Sequence, residues 1–600
     1  MTHLVLLNDL NMEFHFTQER NVQILLGLLK AYGINKVVAS PGSTDITFIA
    51  SVQYDNFFKV YSCVDERSAA YMACGLADET GEPVVIVCTG ATASRNYVPG
   101  LTEAYYRKLP VIAVTTSEPV ERIGHLLPQL MDRTNIQNDI AIFSCNLQNI
   151  SSPLDEWSVN INANKAISAL FRRGGGPVHI NLETCHNMKF DVRELPATKV
   201  IRRYTIGGGK LPSLPKGRIA VFIGAHHKMS TDEIEAIDKF CKTNNAIVIG
   251  DKTSRYTGEF RLSSTLIGAQ INGAKPICGV DLLIHIGEVC GDYPVTWHLT
   301  PKSVWRVSPD GEMRDTFSKL SAVFEMEEKD FFDYYSKGKK EKDCSYYKEC
   351  RNLYDTLYKK IPDLPFSNLW IAQHLAPRFP KGSTLHLGIL SSLRAYNFFD
   401  IDKSIDSISN TGGFGIDGCM STLIGASLAN PNKLYYGVFG DLAFFYDLNS
   451  IGNRHVGHNV RIMLVNNGRG GEFRNYNHGA YQFGEATDEF ISAGGHNGNQ
   501  SHCLMKHVAE DLGFKYITAS DKDSFYKVYE QFITSEIGEQ PLFFEVFTDV
   551  HDESNALKLI SSLGEPSAAD LIGPMKSKAK QIIKDVIPPI VTKQIKRLQS

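Results

Sequence analysis

Short runs of β-branched and aromatic residues alternate with stretches of helical period along most of the chain. In its first third KVVAS, PVVIVCT, PVIAVTT and PVHINLE are separated by segments such as ERNVQILLGLLKAYG and ERSAAYMACGLADETG, whose apolar residues return every three to four positions. Strands joined through helices form parallel sheets. RIAVFIG, AIVIGD, DLLIHIG and SVWRVS repeat the pattern more sparsely, and KLYYGVFGD, NVRIMLVNN and PLFFEVFTD renew it towards the C-terminus. The pattern predicts an α/β protein of three successive domains with parallel sheets, at residues 1–190, 191–350 and 351–560. The charged segment MEEKDFFDYYSKGKKEKDCSYYKE predicts a solvated surface helix and connection.

Residues 561–600 differ in kind. Met575, Ala579, Ile582, Ile583, Val586, Ile587 and Ile590 lie at helical spacing, with Lys576, Lys578, Lys580, Lys584, Lys593, Lys596 and Arg597 among the polar positions. Such a basic amphipathic tail can rest on an anionic membrane surface or dock its apolar face on the protein itself, and the second arrangement is the commoner. Pro588 and Pro589 would end the helix.

Composition narrows the class. At 600 residues the chain is too long for one core. With 43% hydrophobic and 21% charged residues it reads as ordinary globular protein, and a formal charge of -4 argues against a general nucleic-acid binder. MTHLVLLNDLNMEF lacks the features of a signal peptide, and no apolar run reaches the length of a membrane span. The 12 cysteines fall without CxxC pairs, which predicts reduced thiols in a cytoplasmic protein.

The chemistry is concentrated in GDLAFFYDLNSIGNRHVGHNVRIMLVNNGRGGEF, residues 440–473. Asp441 follows one strand and Asn467 the next, so both reach the carboxyl edge of a parallel sheet, where such sheets bind ligands. A carboxylate, an amide oxygen and a backbone carbonyl, that of Arg469, suit a hard divalent cation. Glycines at 468, 470 and 471 let backbone approach a phosphate closely. Together they outline a Mg²⁺-diphosphate site. Taken singly, Gly-Asp and Asn-Asn-Gly are also ordinary turn chemistry.

Gly-Asp followed one strand later by Asn-Asn resembles the signature of thiamine diphosphate enzymes. SCVDERSAAYMACGLADETGEPVVIVCTGATAS, far upstream, resembles the pyrimidine-binding domain of the same superfamily, and GGPVHINLE resembles its end. SPGS at 40–43, DERSAAYMACGLA at 65–77, GGFGIDGCMSTLIGAS at 412–427 and GDLAFFYDLNS at 440–450 resemble the MenD family of SEPHCHC synthases. The resemblance implies a pyrimidine-binding domain, a central domain without a required nucleotide, and a diphosphate-binding domain. It implies thiamine diphosphate and Mg²⁺ as cofactors, with Asp441, Asn467 and Arg469 on the metal. Gly440, Leu442, Gly470 and Gly471 would border the cofactor, and Ile416 would support its bent form. Glu66 would be the carboxyl group that exchanges a proton with the aminopyrimidine ring, favoured in that task by an apolar cleft. It further implies a homodimer or dimer of dimers with active sites between chains.

Where that family reads carboxylate-rich substrates with arginines, this chain has Thr44, Glu118 and Thr411, and no basic residue in GDYPVTWH. Arg394 persists, and Ser43, Gln129 and Phe473 keep family-like positions in the substrate cleft. Each lost charge-assisted bond costs about 1.5–3 kcal/mol. The expectation is therefore a decarboxylase or carboligase acting on a 2-oxo acid, with a carbonyl or alkene acceptor, whose substrate is not isochorismate. True SEPHCHC synthase of menaquinone biosynthesis is the alternative, with Arg122, Arg133, Arg469 or Arg474 replacing the missing groups. A non-catalytic scaffold of the same fold, and an acetolactate-synthase-like protein needing FAD, complete the alternatives. His125, His386 and His478 are candidate proton donors, and His455 with His458 a weak candidate metal pair on a helix.

Overall fold

The computed structural model describes residues 15–133, 136–270, 277–496 and 500–564. The basic tail expected from Met575 to Ile590 and the whole N-terminal segment MTHLVLLNDLNMEF lie outside the described residues. Packing divides the chain into two compact units. One comprises the residues up to Leu211 with Pro309–Met326, the other Pro212–Ser308 with the residues from Glu327 onward.

The first unit is built on the strands β1 (Lys36–Ala39), β2 (Lys59–Ser62), β3 (Val84–Thr89), β4 (Val111–Ser117), β5 (Phe143–Leu147) and β6 (Val178–Glu183). They pair in parallel in the order β2-β1-β3-β4-β6-β5. Both faces are covered, which is why β3 almost throughout and the first four residues of β4 are apolar, while β6 alternates Val178, Ile180 and Leu182 with the buried polar His179, Asn181 and Glu183. On one face lies the helix Arg20–Ala31, with Val22, Ile24, Leu25, Leu26, Leu28 and Leu29 fully buried. On the other lies the helix Glu66–Thr80, packed through Ala69, Ala70, Ala73 and Ala77. Asp65 caps it by accepting the Ser68 N–H at 3.2 Å, and Gly81 closes it with φ 65°. The chain continues through β7 (Arg202–Thr205).

In the second unit β8 (Ile219–Ile223), β9 (Ala246–Gly250), β10 (Arg261–Ser263), β11 (Leu282–Ile286) and β12 (Ser303–Ser308) form a parallel layer in the order β10-β9-β8-β11-β12. The chain then returns to the first unit for β13 (Leu320–Glu325), which pairs with β7. The charged segment that follows departs from the expected solvated connection. It forms the helices Glu328–Ser336 and Ser345–Lys359, whose Phe331, Phe332, Tyr335, Tyr346, Cys350 and Tyr354 are buried. The aromatic residues between the charges have helical spacing, and their burial outweighs the charge run.

The last sheet comprises β14 (Thr384–Leu387), β15 (Asp406–Ile408), β16 (Tyr435–Gly440), β17 (Val460–Asn466), β18 (Lys515–Ala519) and β19 (Leu542–Phe547). Its order, β15-β14-β16-β17-β19-β18, repeats that of the first sheet strand for strand. The chain therefore contains three parallel-sheet α/β layers, the outer two of one topology. All twelve cysteines are unpaired thiols. Among the described residues no helix is long and apolar enough to cross a membrane.

Candidate cofactor and active site

β16 and β17 are neighbours, with Gly440 opposite Val465. The residues that follow them leave the sheet side by side at its carboxyl edge. Asp441 opens the helix Asp441–Tyr446, and Asn467 opens the glycine-rich turn. Both line one cavity of about 1030 Å³, whose wall also includes Ile416, Gly440, Leu442, Arg469, Gly470 and Gly471, with Arg394 and Phe473. The structure thus brings together the cofactor and metal residues expected in the second unit, with Arg394 and Phe473, while the candidate histidines lie off the cavity wall.

Asp441 is 5% exposed. Burial pushes its carboxyl up to about 6, against the pull of the backbone N–H groups of Leu442, Gly468, Arg469 and Asn467. One oxygen, Oδ1, accepts the Leu442 N–H at 2.8 Å. The other, Oδ2, is buried without a partner, and so is Oδ1 of Asn467. Buried oxygens are rarely left unpaired, and two of them on one cavity wall, one from a carboxylate, suit a hard divalent cation. Gly471 keeps the room for this arrangement, since a Cβ there would lie 2.9 Å from Asn467 Nδ2.

The basic residues of this unit are largely committed. Arg394, on the helix Ser391–Asn397, makes a bidentate pair with Glu472 at 2.7 and 2.8 Å. Arg469 and Arg474 share Asp488. His386 lies 3% exposed in the sheet and lines no part of the cavity, and burial holds its ring down to about 4. It is neutral packing, not a proton donor. His478 accepts the Ala480 N–H at 3.0 Å and sets its ring edge-on to Phe473, with centroids 5.3 Å apart. His455 and His458 stand exposed in a turn rather than on a helix, because Asn453 and Gly457 break the period. No metal-holding group of three ligands occurs among the described residues.

In the first unit, Glu66 begins its helix half-buried and accepts from Asn96 Nδ2 at 2.9 Å. The expected apolar cleft is absent within this unit. Its own helix and the turn before it carry exposed apolar side chains, Val64 77%, Tyr71 48% and Met72 39% exposed. Ser43, after β1, and Gln129, in the left-handed region at φ 64°, are both exposed. Arg122 is held by Glu118. Thr44 turns inward, where its hydroxyl meets Thr116 Oγ1 at 2.8 Å and Thr89 Oγ1 at 2.5 Å.

Among the described residues Arg133 alone of the proposed replacement arginines makes no ion pair, with Asp132 acting on it only from farther off. It is 5% exposed, gives its Nε–H to Asn181 Oδ1 at 3.2 Å, and leaves Nη1 buried and unpaired. Gly90, at the carboxyl end of β3, makes room for it: a Cβ there would lie 3.0 and 3.1 Å from the two terminal nitrogens. In the repeated topology Gly90 falls close to the place that Asp441 takes after β16. The first sheet therefore holds a buried cation near where the last sheet holds a buried acid.

Residues 20–137 match the family described as "Thiamine pyrophosphate enzyme, N-terminal TPP binding domain". The chain is 29% identical over 574 residues to the 2-succinyl-5-enolpyruvyl-6-hydroxy-3-cyclohexene-1-carboxylate synthase of Bacteroides thetaiotaomicron, covering 90% of this chain and 98% of that protein. The chain is thus similar to thiamine diphosphate-dependent enzymes over nine-tenths of its length. The synthase of the same name from Flavobacterium johnsoniae is 27% identical over 560 residues, covering 89% and 97% of the two chains. A solved thiamine diphosphate-dependent 4-hydroxybenzoylformate decarboxylase from Rhodococcus jostii aligns with 88% of this chain and 99% of its own, at 16% identity and a TM-score of 0.39.

Two residues of the cavity escaped the sequence reading. Glu472, inside GRGGEF, neutralises Arg394, and its only signal was adjacency to the glycine turn. Glu553 lines the cavity from the helix Val550–Ser561 and accepts from the Asn368 N–H at 2.9 Å and Thr548 Oγ1 at 2.8 Å. Burial pushes its carboxyl up to about 7. Nothing in HDESNALKLI separates it from a solvated helical acid.

Proposed function

We propose that this enzyme decarboxylates a 2-oxo acid and joins the remaining fragment to a carboxylate-bearing acceptor, the SEPHCHC synthase reaction for which its relatives are named. The carrying observation is the pair of unpaired oxygens, Asp441 Oδ2 and Asn467 Oδ1, on one cavity wall. They would hold Mg²⁺, with the Arg469 carbonyl as third protein ligand, and the cation would hold the diphosphate. Gly440, Leu442, Gly470 and Gly471 would border the cofactor, and Ile416 would support it. Bound thiamine diphosphate supplies the electron sink that decarboxylation of a 2-oxo acid requires. Glu66 would hold and return the proton exchanged with the aminopyrimidine ring. Ser43, Gln129, Arg394 and Phe473 would line the substrate cleft.

The substrate reading rests on Arg133. Its unpaired Nη1 makes it the available counterion for a carboxylate, since a buried guanidinium without an acid is costly unless something anionic binds. The second reading, a less anionic substrate, is favoured by the commitment of Arg394 to Glu472 and of Arg122 to Glu118.

The exposed apolar side chains around Glu66 support a homodimer or dimer of dimers in which a second copy supplies the missing cleft. The domain boundaries at 190, 350 and 560 belong to the same proposal, as does a cytoplasmic setting.

CO₂ release by purified protein with thiamine diphosphate and Mg²⁺, over a panel of 2-oxo acids with and without isochorismate, tests the choice. Consumption of 2-oxoglutarate with capture of isochorismate is the expected result. Release from another acid alone establishes the second reading, and no release from any acid overturns both.

A further inference from the structure

A second cavity in the second unit lies outside the carboxyl ends of β8 and β9 and is closed by β15 and Lys433, two residues before β16. This end of a parallel layer is where small-molecule sites form. Six basic residues line it, Lys228, Lys252, Arg255, Arg261, Lys403 and Lys433, against two acids, Asp251 and Asp406.

Both acids are already engaged. Asp406 forms a bidentate pair with Arg255 at 2.8 and 2.5 Å. Asp251 accepts from Thr253 through Oδ1 and from the Gly291 N–H, at 2.8 Å, through Oδ2. The nearby Asp400 is taken by Arg351 at 2.8 Å and by the Ser263 hydroxyl.

Three polar groups on the wall are left over. Lys252 is 8% exposed, and among the described residues its ammonium makes no hydrogen bond or close ion pair, with Asp400, Asp251 and Asp292 attracting it only from farther off. Burial, then the neighbouring Arg261, pull its pKa down to about 7. Asn397 Nδ2 and Ser407 Oγ, on residues each 2% exposed, are likewise buried without partners. An unpaired ammonium, an amide N–H₂ and a hydroxyl around one basic cavity form a set of donors without acceptors. Buried donors of this kind normally have an anion or water between them.

We propose that this cavity is a binding site for a small phosphate monoester, its phosphate held by Lys252, Asn397, Ser407 and the rim lysines Lys228 and Lys433. Met229, Tyr256, Leu262 and Ile401 offer apolar wall to the organic part. A phosphate group suits the set better than a single carboxylate, because it presents more acceptor oxygens and more charge to so many donors. The helix Ser391–Asn397 serves both cavities: Asn397 lines this one, with its Oδ1 accepting the Lys252 N–H at 3.0 Å, and Arg394 lines the other.

The test uses protein loaded with thiamine diphosphate and Mg²⁺, so that the diphosphate site is filled. Adenosine 5′-monophosphate and inorganic phosphate are added separately and the melting temperature is followed. Pyridoxal 5′-phosphate with borohydride then labels accessible amines for peptide mapping. Adenosine monophosphate should raise the melting temperature, and the adduct should form at Lys252 and be suppressed by the monoester. Lys252→Met should abolish the rise. Lys433→Ala, at the rim, should weaken binding about tenfold and serves if Lys252→Met fails to fold. Equal protection by inorganic phosphate would assign the site to the phosphate group alone and support it. No rise in the wild type, an equal rise in both variants, or labelling of Lys252 that adenosine monophosphate does not suppress overturns the proposal.

Discussion

Asn467 holds its amide at the cavity wall because Gly471, four residues on, has no side chain: a Cβ on Gly471 would lie 2.9 Å from Asn467 Nδ2. That is closer than non-bonded atoms tolerate, and the nearby backbone is fixed by the Gly470 N–H bond to the Ser492 carbonyl at 2.6 Å. Gly471→Ala should therefore turn the amide away from the cation position. Thiamine diphosphate binding in Mg²⁺, measured by calorimetry, should weaken about tenfold or more, an energy of about 1.4 kcal/mol. Unchanged affinity would remove Asn467 from the metal site.

Asp441 imposes a cost on the metal-free protein. A carboxylate 5% exposed with one oxygen unpaired destabilises the fold until a cation arrives. Asp441→Asn should raise the melting temperature of the cofactor-free protein at pH 8 and abolish the further rise that Mg²⁺ with thiamine diphosphate gives the wild type. A variant less stable than the wild type without cofactor would show that the carboxylate's role is structural.

Asp441 and Asn467 were legible in the sequence because their signal is local. A strand, a turn and a glycine cluster place a side chain at a sheet edge whatever the rest of the chain does. Glu472 and Glu553 were not, because each matters through partners distant in sequence, and Arg133 stood as one of four candidate arginines that the sequence did not separate. Arg133 depends on the missing side chain of Gly90, and Glu472 on Arg394. The fold divides in the same way. β3, β4, β16, β17 and β19 are buried on both faces and read as continuous apolar runs. β2, β5, β15 and β18 lie at sheet edges, where half-polar segments such as KVYS and KYITA carry a weaker pattern. Return of the chain to the first unit for β13 left no mark on composition at all.

Arg133 tests the substrate reading directly. Arg133→Met should raise KM for the anionic substrate about ten- to hundredfold, as expected for a charged hydrogen bond of about 1.5–3 kcal/mol, with thiamine diphosphate affinity unchanged. Arg133→Lys should recover part of the loss, since it keeps charge without the planar fork. An unchanged KM would transfer support to the less anionic substrate.

His179 and His386 set an acid limit to stability. They are 1% and 3% exposed, and burial holds both rings down to about 4. His179 is bonded to the hydroxyls of Ser144 and Thr115 at 2.9 and 3.1 Å. The unfolded chain takes up protons at these sites first, so stability is full above pH 6.5 and falls as pH drops towards 4. Each histidine should contribute up to about 3 kcal/mol to that fall. Denaturant titrations between pH 7 and 4.5 should show a shallower decline in His386→Gln than in the wild type. Parallel curves would mean that the ring is protonated in the fold.

Glu66 distinguishes an enzyme from an inert relative of the same fold. Its carboxyl stands half-buried and accepts from Asn96 Nδ2 at 2.9 Å. Glu66→Gln keeps the size and the Asn96 contact but cannot exchange a proton at the aminopyrimidine. Turnover should fall to near background while thiamine diphosphate still binds, because the cation site lies on other residues. If the second copy supplies the cleft, mixing Glu66→Gln with Asp441→Asn protein and allowing subunits to exchange should restore up to about a quarter of wild-type activity, since one of the mixed dimer's two sites retains both residues and half the dimers are mixed. No restoration despite demonstrated exchange would place both residues in a site formed by one chain.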